Sequence, residues 1–365
     1  MTSGSSLWHT RLKRIAQRTP QYESNMGEGA FQAQNIVRLS ANENIFLNLQ
    51  ILRDIMVKAV NSSDPRRYSV EAIDALENLL SKEHNIRPEQ VLIGNGGDQL
   101  IDLLVRCIAR PGSKVVSVGP TFAMYRRYVL ANNTTYREAP LRSDFTLDLG
   151  TLLAEIDSTC QLVFLCSPNN PTAVSFDSTD IEKLLAETNS LVVIDEAYAA
   201  FAGTSLVKLT ESHENLVILR TFSKSSGLAG LRLGYVVGQE NLISTVKHSM
   251  QHPFPVSSLA ADIASRVLSQ KDLVNNTIRS VVMERKCLIS KLNALSTVKA
   301  FNSETNFVLF KTKQSSRDVT AGLARRGILV RDIGHILNHE NCIRVTVGPR
   351  PVMNRFVSTL KEVLA

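Results

Sequence analysis

The sequence predicts an α/β fold in which a mostly parallel sheet is sandwiched by helices, with a smaller α/β domain at the C-terminus. From residue 91 onward, short runs of consecutive apolar residues alternate with segments of helical spacing, which is typical of buried parallel strands joined by helices. A long helical stretch separates this alternation from a second one near the C-terminus. The length of 365 residues is sufficient for two domains.

The N-terminal part is predicted to be an arm, residues 1–40, that lies over the body. It is polar apart from a short strand at residues 36–39. Two helices follow at residues 49–60 and 70–84, because their apolar residues recur at helical spacing on either side of a turn at residues 61–65.

The predicted large domain comprises residues 41–250 and carries the first strand-helix alternation. Its predicted strands are residues 91–93, 114–118, 161–165, 191–194 and 216–219. Its predicted helices in this alternation are residues 99–109, 121–130 and 178–187. In sheets of this kind, ligands bind beyond the carboxyl ends of the strands.

The predicted small domain comprises residues 251–365 and is expected to pack with the N-terminal arm. Its first part is helical as far as residue 295, with a break at the two prolines of residues 252–255. Beyond that point, the predicted strands are residues 306–310, 328–331 and 342–347, and the predicted helices are residues 317–326 and 352–364.

Composition narrows the class of protein. With 44% hydrophobic and 21% charged residues, the chain is that of an ordinary globular protein. The net charge is +7, but the lysines and arginines are interleaved with acidic residues along the sequence. This distribution gives little support to nucleic-acid binding and favours small anionic ligands. Five cysteines without a Cys-x-x-Cys pair argue against disulfides, and no segment reads as a signal peptide or membrane span. We therefore expect a cytoplasmic protein that does not bind membranes.

A lysine follows the predicted strand at residues 216–219, in the stretch Thr221-Phe-Ser-Lys224-Ser-Ser-Gly. Lysine becomes a nucleophile when burial or a nearby cation lowers its pKa, and Arg232 is a candidate for that cation. Ser223 and Arg232 are also suitable donors to a phosphate. A basic surface loop is the alternative for an isolated lysine, so the prediction depends on the other motifs.

Polar residues follow two other predicted strands. Asp195 comes directly after residues 191–194, and a carboxylate at a buried strand end needs a cationic partner such as a protonated pyridine nitrogen. In Ser167-Pro-Asn-Asn-Pro-Thr172, two prolines frame Asn170 in a rigid turn that aims its amide at the same crevice, where Tyr198 is a second donor. A helix cap and a plain turn are the structural alternatives.

The stretch Gly94-Asn-Gly-Gly-Asp98 opens a predicted helix, whose free N–H groups favour a phosphate. It is neither a Rossmann fingerprint nor a P-loop. His335 and His339 have metal-like spacing, but no carboxylate or cysteine set surrounds them, so we predict no metal site.

Together these stretches resemble the aspartate-aminotransferase fold family of pyridoxal-phosphate enzymes, and most closely its histidinol-phosphate aminotransferase branch, over about residues 37–347. The resemblance implies that Lys224 binds the aldehyde of pyridoxal 5'-phosphate covalently and then moves a proton. It implies that Asp195 pairs with the pyridine nitrogen, and that Asn170 and Tyr198 donate to the ring hydroxyl oxygen.

The same resemblance assigns the remaining cofactor and substrate residues. It implies a phosphate site made by residues in three parts of the chain, namely Gly96, Gly97, Asp98, Thr221, Ser223 and Arg232. Phe122 matches the aromatic ring that stacks on the cofactor, and Tyr68 matches a tyrosine that reaches the phosphate of a neighbouring subunit, which implies a homodimer. Substrate contacts are expected from Asn44, Asn306, Arg331 and Arg344, with the two arginines binding an anionic group.

The sequence departs from the branch at two places. Ile45-Phe46-Leu47 stands where the branch has Pro-Tyr-Gly, and Ala173 replaces a glycine. We expect an enzyme that acts on the α-amine of an amino acid or amino-acid derivative, an aminotransferase first of all. The altered stretch at 45–47 keeps open a cyclase acting on hydroxylated arginine, of the capreomycidine or enduracididine type, and a decarboxylase is a third branch. A cofactor-retaining binding protein is the alternative from another class.

Overall fold

The computed structural model describes residues 7–20 and 36–365, so residues 1–6 and 21–35 of the predicted arm lie outside the described residues. In the described part, the helices in chain order are α1 (Leu7–Arg18), α2 (Leu49–Ser62), α3 (Val70–His84), α4 (Gly96–Ile108), α5 (Met124–Ala131), α6 (Leu149–Glu155), α7 (Ser178–Glu187), α8 (Ala199–Ala202), α9 (Glu240–Ser249), α10 (Ser258–Leu268), α11 (Lys271–Asn293), α12 (Ser316–Arg325) and α13 (Arg350–Leu364).

The strands of the described part, also in chain order, are β1 (Val37–Arg38), β2 (Val91–Gly94), β3 (Lys114–Gly119), β4 (Thr135–Pro140), β5 (Cys160–Cys166), β6 (Leu191–Asp195), β7 (Leu216–Thr221), β8 (Gly234–Gly238), β9 (Val298–Ala300), β10 (Phe307–Thr312), β11 (Ile328–Leu329), β12 (Arg331–Ile336) and β13 (His339–Thr346).

A seven-stranded sheet has the order β2-β8-β7-β6-β5-β3-β4. Strands β7, β6, β5, β3 and β4 run parallel to one another, whereas β8 is antiparallel to both of its neighbours, β7 and β2. Strand β2 therefore points the same way as the parallel set, and only β8 runs against it. The predicted fold class is confirmed, with one reversed strand that the sequence did not predict.

Both faces of this sheet are buried because successive strand residues alternate between two hydrophobic clusters. In β6, Val192 and Ile194 pack on one side of the sheet and Val193 on the other. Helix α4 covers the side of Val193, and helices α3, α7 and α10 cover the opposite side. This double covering explains why the strands read as continuous apolar runs rather than as alternating ones.

A second sheet of four antiparallel strands has the order β12-β13-β10-β9. Helices α11 and α12 pack against it, and α13 packs on these two helices and contacts Phe310 of β10 through Phe356. Strand β1 pairs in parallel with β11 in a separate two-stranded sheet. The segment that precedes the large sheet is therefore hydrogen-bonded to the C-terminal part of the chain. Helix α10 packs on α2 and α3 and therefore belongs to the side of the large sheet.

The N-terminal helix α1 packs on α5, where the Arg18 side chain donates to Asn133 Oδ1 over 3.1 Å. None of the residues of α1 is buried. Within the described ranges, no helix combines the length and the apolar character needed to cross a membrane.

Candidate active site

A cavity of about 550 Å³ opens where the parallel strands of the large sheet end. Because β2, β3, β5, β6 and β7 point the same way, the segments that follow them meet at this edge. Of the predicted site residues, the wall contains Gly97, Asp98, Phe122, Asn170, Asp195, Tyr198, Thr221, Ser223, Lys224, Arg232, Arg331 and Arg344.

Lys224 lies in the turn between β7 and β8. Its Nζ donates to the backbone oxygen of Ala41 over 3.0 Å and lies 5.9 Å from the centre of the Tyr198 ring. Burial in the cavity, helped by the positive charge of Arg344, lowers the pKa of Lys224 to about 8. The amine therefore reaches its neutral, nucleophilic form at a much lower pH than an ordinary lysine, whose pKa is ~10.4.

The turn that carries Lys224 depends on a glycine. Gly227 has φ +64°, and a side chain there would collide with Leu47 Cδ1. Its backbone N–H donates to the oxygen of Lys224 over 3.3 Å. Asn44 fixes the same turn from outside, since its amide nitrogen donates to the oxygen of Ser225 over 3.0 Å.

Asp195 is the last residue of β6 and is only 5% exposed. Its Oδ1 accepts from the backbone N–H of Ala197 over 3.0 Å, and its Oδ2 accepts from the Tyr125 hydroxyl over 2.7 Å. Burial raises the pKa of Asp195 to about 6, while these two donors act in the opposite direction. Among the described residues, Asp195 has no cationic partner, so the cavity presents a buried carboxylate to any cation placed there.

The predicted ring donors, Asn170 and Tyr198, also line the cavity. The Tyr198 hydroxyl accepts from Asn42 Nδ2 over 2.9 Å. Asn170 Oδ1 accepts from Arg344 Nη1 over 2.5 Å. Both side chains are therefore held in place by the segment after β1 and by β13.

Glycines and cations form one corner of the cavity. The sequence predicted that α4 begins at Gln99, but the helix begins at Gly96, so Gly96, Gly97 and Asp98 form its first turn. Arg232 Nη2 donates to Asp98 Oδ2 over 3.0 Å. Gly96 has φ +79°, which favours glycine, and a Cβ there would lie 2.8 Å from Arg232 Nη2 and would displace the guanidinium. Free N–H groups of a helix start and an arginine together favour an anion.

The loop after β3 carries the predicted stacking residue. The predicted helix 121–130 begins later, at Met124, which leaves Phe122 in the loop and in the cavity wall. Its ring meets the edge of the Tyr125 ring, with centres 5.6 Å apart and planes at 85°.

The two predicted anion-binding arginines are direct neighbours. Arg331 on β12 and Arg344 on β13 are paired residues in the antiparallel ladder, and both line the cavity. Arg344 Nη2 also donates to the Ser40 oxygen over 2.6 Å. Two guanidinium groups on one wall give the cavity a strongly positive side.

Four predicted site residues, Gly96, Asn44, Asn306 and Tyr68, are not among the residues that line the cavity. Asn44 holds the Lys224 turn, and Asn306 donates through Nδ2 to the oxygen of Asn42 over 3.0 Å. Tyr68 is 74% exposed and stacks on Phe254 with ring centres 4.3 Å apart. Asn44 and Asn306 thus contact the site through other residues, and Tyr68 lies on the outer surface.

The stretch 45–47 is not part of the cavity wall either. Leu47 is buried against Gly227, and Ile45 packs against Gly348. The residues of this segment that do line the cavity are 40–43. The altered stretch therefore does not border the cavity directly.

Sequence reasoning missed Tyr125 and Asn42. Tyr125 was visible only as the end of Pro120-Thr-Phe-Ala-Met-Tyr, and its partner Asp195 is 70 residues away. Asn42 lies two residues before the predicted Asn44, but its contact with Tyr198 spans 156 residues. Within the described ranges, no group of three or more histidine, cysteine or acidic residues could hold a metal ion.

Comparison with known proteins identifies the family of this chain. Residues 34–360 match the family model described as aminotransferase class I and II. Over 329 residues the chain is 35% identical to the histidinol-phosphate aminotransferase of Thermoanaerobacter sp. (strain X514), covering 90% of this chain and 93% of the relative. It is 36% identical over 328 residues to the protein of that name from Thermococcus gammatolerans, covering 90% of this chain and 92% of the relative.

A solved structure has the same fold. The crystal structure of histidinol-phosphate aminotransferase from Sinorhizobium meliloti, in complex with pyridoxal 5'-phosphate, aligns with a TM-score of 0.86 and 24% identity. The alignment covers 100% of this chain and 99% of that chain. The resemblance predicted from the motifs is confirmed, and the chain belongs to the aminotransferase class I and II family.

Proposed function

We propose that this chain is a pyridoxal-phosphate-dependent aminotransferase of the histidinol-phosphate aminotransferase type. The observation that carries the proposal is one cavity that brings together Lys224, the buried carboxylate of Asp195 and the arginine pair Arg331 and Arg344. The family match over residues 34–360 and the curated relatives named histidinol-phosphate aminotransferase support it.

The residues present fit pyridoxal phosphate. Asp195 offers a buried carboxylate that lacks a cation among the described residues, as a protonated pyridine nitrogen requires. The corner at the start of α4 offers N–H groups and Arg232 to a phosphate. Gly234 keeps that corner open, because a side chain there would lie 2.9 Å from the backbone of Gly96 and Gly97.

We assign roles as follows. When bound, the cofactor supplies an aldehyde that reacts with amines and a ring that draws electrons from the substrate Cα. Asp195 would keep the ring nitrogen protonated, Asn170 and Tyr198 would donate to the ring hydroxyl oxygen, and Phe122 would stack on the ring. Gly96, Gly97, Thr221, Ser223 and Arg232, which Asp98 binds, would hold the phosphate. Lys224, whose pKa is already lowered to about 8, would take the proton from the substrate Cα and deliver it to the cofactor.

Substrate choice is assigned to the positive wall. Arg331 and Arg344 are suited to a phosphate or carboxylate, since guanidinium groups bind such groups in two-pronged fashion. We propose an amine that carries such an anionic group, with L-histidinol phosphate as the first candidate because the curated relatives carry that name. Asn44 and Asn306 support the substrate wall through the Lys224 turn and Asn42.

No structural observation favours the cyclase or decarboxylase alternatives. The stretch 45–47, which motivated the cyclase, packs against Gly227 and Gly348 instead of facing the cavity. Incubation with hydroxyarginine in the absence of any 2-oxo acid distinguishes a cyclase from an aminotransferase, because repeated transamination requires an amino acceptor, whereas elimination and cyclisation do not.

The test of the proposal is reduction with borohydride. Purified protein supplied with pyridoxal phosphate should become yellow, and borohydride should attach the cofactor to the peptide that contains Lys224. Lys224→Arg keeps the charge but should abolish both the covalent attachment and the turnover of L-histidinol phosphate with a panel of 2-oxo acids. A colourless wild type, or attachment at another lysine, overturns the proposal.

We also propose a homodimer in a reducing cytoplasm. Tyr68, Phe254 and the outer face of α2 form an exposed apolar surface that a second copy would cover, and Tyr68 would then reach the partner's phosphate site. The five free cysteines are compatible with a reducing compartment. The predicted division into an arm, a large domain and a small domain remains a proposal, and the packing of α10 on α2 and α3 favours a boundary near α11 rather than at residue 250.

A further inference from the structure

A buried tyrosine contacts the carboxylate at the base of the cavity. The Tyr125 side chain is fully buried, and its hydroxyl donates to Asp195 Oδ2 over 2.7 Å. A buried hydroxyl without a partner is costly, so this contact satisfies both groups.

The position of the hydroxyl is fixed by the packing of the ring. Tyr125 stacks on Phe164 of β5 with ring centres 4.8 Å apart and planes at 5°. The edge of the same ring meets Phe122 in the cavity wall. One side chain on α5 therefore contacts two of the residues that are assigned to the cofactor ring, Asp195 and Phe122.

Two hydrogen-bond donors stabilise the ionised form of Asp195. The groups that act on it are Tyr125 from α5, the backbone N–H of Ala197, Asp98 from α4 and the adjacent Glu196. The two acids and the burial raise the pKa of Asp195, and only the two donors oppose them. Cys166 at the end of β5 and Tyr198 also lie within its electrostatic reach, and burial raises the pKa of each of these two groups.

We propose that Tyr125 is a positioning residue that keeps the Asp195 carboxylate ionised and oriented for the cofactor ring. This inference rests on the proposed function, because it assigns Asp195 to the ring nitrogen. A hydrogen bond to a charged group is stronger than one between neutral groups. The Tyr125 hydroxyl therefore stabilises the ionised form of Asp195 more than the protonated form.

The first test measures unfolding of the protein without cofactor. The folded-state pKa of Asp195 lies above that of the unfolded chain, so its contribution to stability falls as pH rises through the folded-state value, near 6, and then levels off. Tyr125→Phe removes a donor and raises that pKa further. The difference in Tm between wild type and Tyr125→Phe should therefore grow between pH 6 and pH 8.

The same comparison in an Asp195→Asn background isolates the charge. There the effect of Tyr125→Phe on Tm should not depend on pH, because the amide that replaces the carboxylate does not titrate. If Tyr125→Phe alone fails to fold, the double variant should recover folding, since a neutral amide does not need a donor as strongly. A pH-independent effect in both backgrounds, or a double variant that also fails to fold, contradicts the inference.

The second test measures cofactor affinity from the visible absorbance. Tyr125→Phe should weaken binding of pyridoxal phosphate by about tenfold to a hundredfold near neutral pH, the range expected for one hydrogen bond to a charged group. Tyr136→Phe on β4 makes the same chemical change outside the cavity wall and should leave the affinity unchanged. A wild type that gives no absorbance refutes the proposed function, whereas equal affinities of wild type and Tyr125→Phe refute only the role of Tyr125.

Discussion

At the scale of single residues, the chemistry of the cavity depends on how its charges act on one another. Lys224 and Arg344 line the same cavity as Asp195, and the positive charge of the arginine opposes protonation of the lysine. Asp195 is the counterpart, since burial and neighbouring acids raise its pKa. Pairs of groups with pKa values shifted in opposite directions are characteristic of sites that transfer protons.

Arg344 should control the pKa of Lys224. Arg344→Gln removes a cation that lowers this pKa, so the value should rise from about 8 towards that of an ordinary lysine. The measurement is the rate at which an amine-specific reagent modifies Lys224 in the protein without cofactor, followed by peptide mass spectrometry from pH 6 to pH 11.

Arg331→Gln is the matched control for this experiment. Arg331 lines the same cavity, but it is not among the groups that shift Lys224, so its removal should leave the midpoint near 8. Equal midpoints in Arg344→Gln and wild type would show that burial alone sets the pKa.

Candidate site residues could be predicted from the sequence where a motif surrounds them. Lys224, Asp195, Asn170 and Arg232 were all found from short stretches after apolar runs, and the structure brings all four to one cavity. Tyr125 could not be found this way, because an aromatic residue at helical spacing is ordinary core and its role depends on a contact across the sheet.

At the scale of elements, the phosphate corner depends on close contact between β8 and the start of α4. Gly234 is paired with Gly94 on one side and with Thr221 on the other. The space above it is filled by backbone atoms, with Gly96 C and Gly97 N at 2.9 Å and Arg220 O at 3.0 Å from the position of a Cβ. Backbone atoms cannot move locally to make room for a Cβ, whereas the end of a flexible side chain can.

Gly234→Ala should therefore push the first turn of α4 out of place. We expect a loss of about 1–3 kcal/mol in the free energy of unfolding, the usual cost of overpacking, and weaker binding of pyridoxal phosphate. Urea unfolding and an absorbance titration measure the two effects.

Gly150→Ala in α6 provides the contrast. Its Cβ would meet only Asp148 Oδ1 at 3.7 Å, so alanine should raise stability by roughly 0.5–1 kcal/mol through its better helix propensity. If Gly234→Ala behaves like Gly150→Ala, the close contact does not constrain the corner.

The elements that the sequence predicted are those with continuous apolar runs. Strands β2, β3, β5, β6 and β7 were predicted because both faces of each are covered. Strand β4 was missed, since its residues Thr-Tyr-Arg-Glu-Ala-Pro lie at the edge of the sheet and are largely exposed. Strand β8 was missed because its short sequence follows directly on the Lys224 motif, and its reversed direction depends on pairing that local sequence does not encode.

At the scale of the whole molecule, the outer face of α2 carries an unusual amount of exposed apolar surface. Leu49, Val57 and Val60 are each more than half exposed, and so is Tyr68, which follows α2 in the chain. Large exposed apolar patches are rare on monomeric proteins and usually mark interaction sites. This is the surface on which the proposed homodimer depends.

Val57→Asp should dissociate the dimer, because it places a charge in a contact that would be buried. Analytical ultracentrifugation should show twice the mass of one chain for wild type and a single chain for the variant, with a loss of turnover. Met283→Asp is the control, because Met283 has the same 59% exposure as Val57 but lies on α11. A monomeric wild type, or a dimeric Val57→Asp, contradicts the proposed assembly.

The fold class could be predicted from the sequence, but the packing of individual helices and strands could not. Two alternations of strand and helix indicated the two larger sheets of the described residues, whereas the separate pairing of β1 with β11 was not predicted. The place of α10 was not predictable from its position after residue 250, because its apolar face packs on α2 and α3, which lie far earlier in the chain.

The sheet order also has a consequence for synthesis on the ribosome. In the described chain, β2 lies at the edge of the large sheet and pairs with β8 alone, although Gly94 and its partner Gly234 are far apart in sequence. At elongation rates of about 5–20 residues per second, β2 waits on the order of ten seconds or more for that partner. During this interval its apolar side chains and backbone edge are unprotected, so a nascent chain stalled before β8 should be a strong client for chaperones.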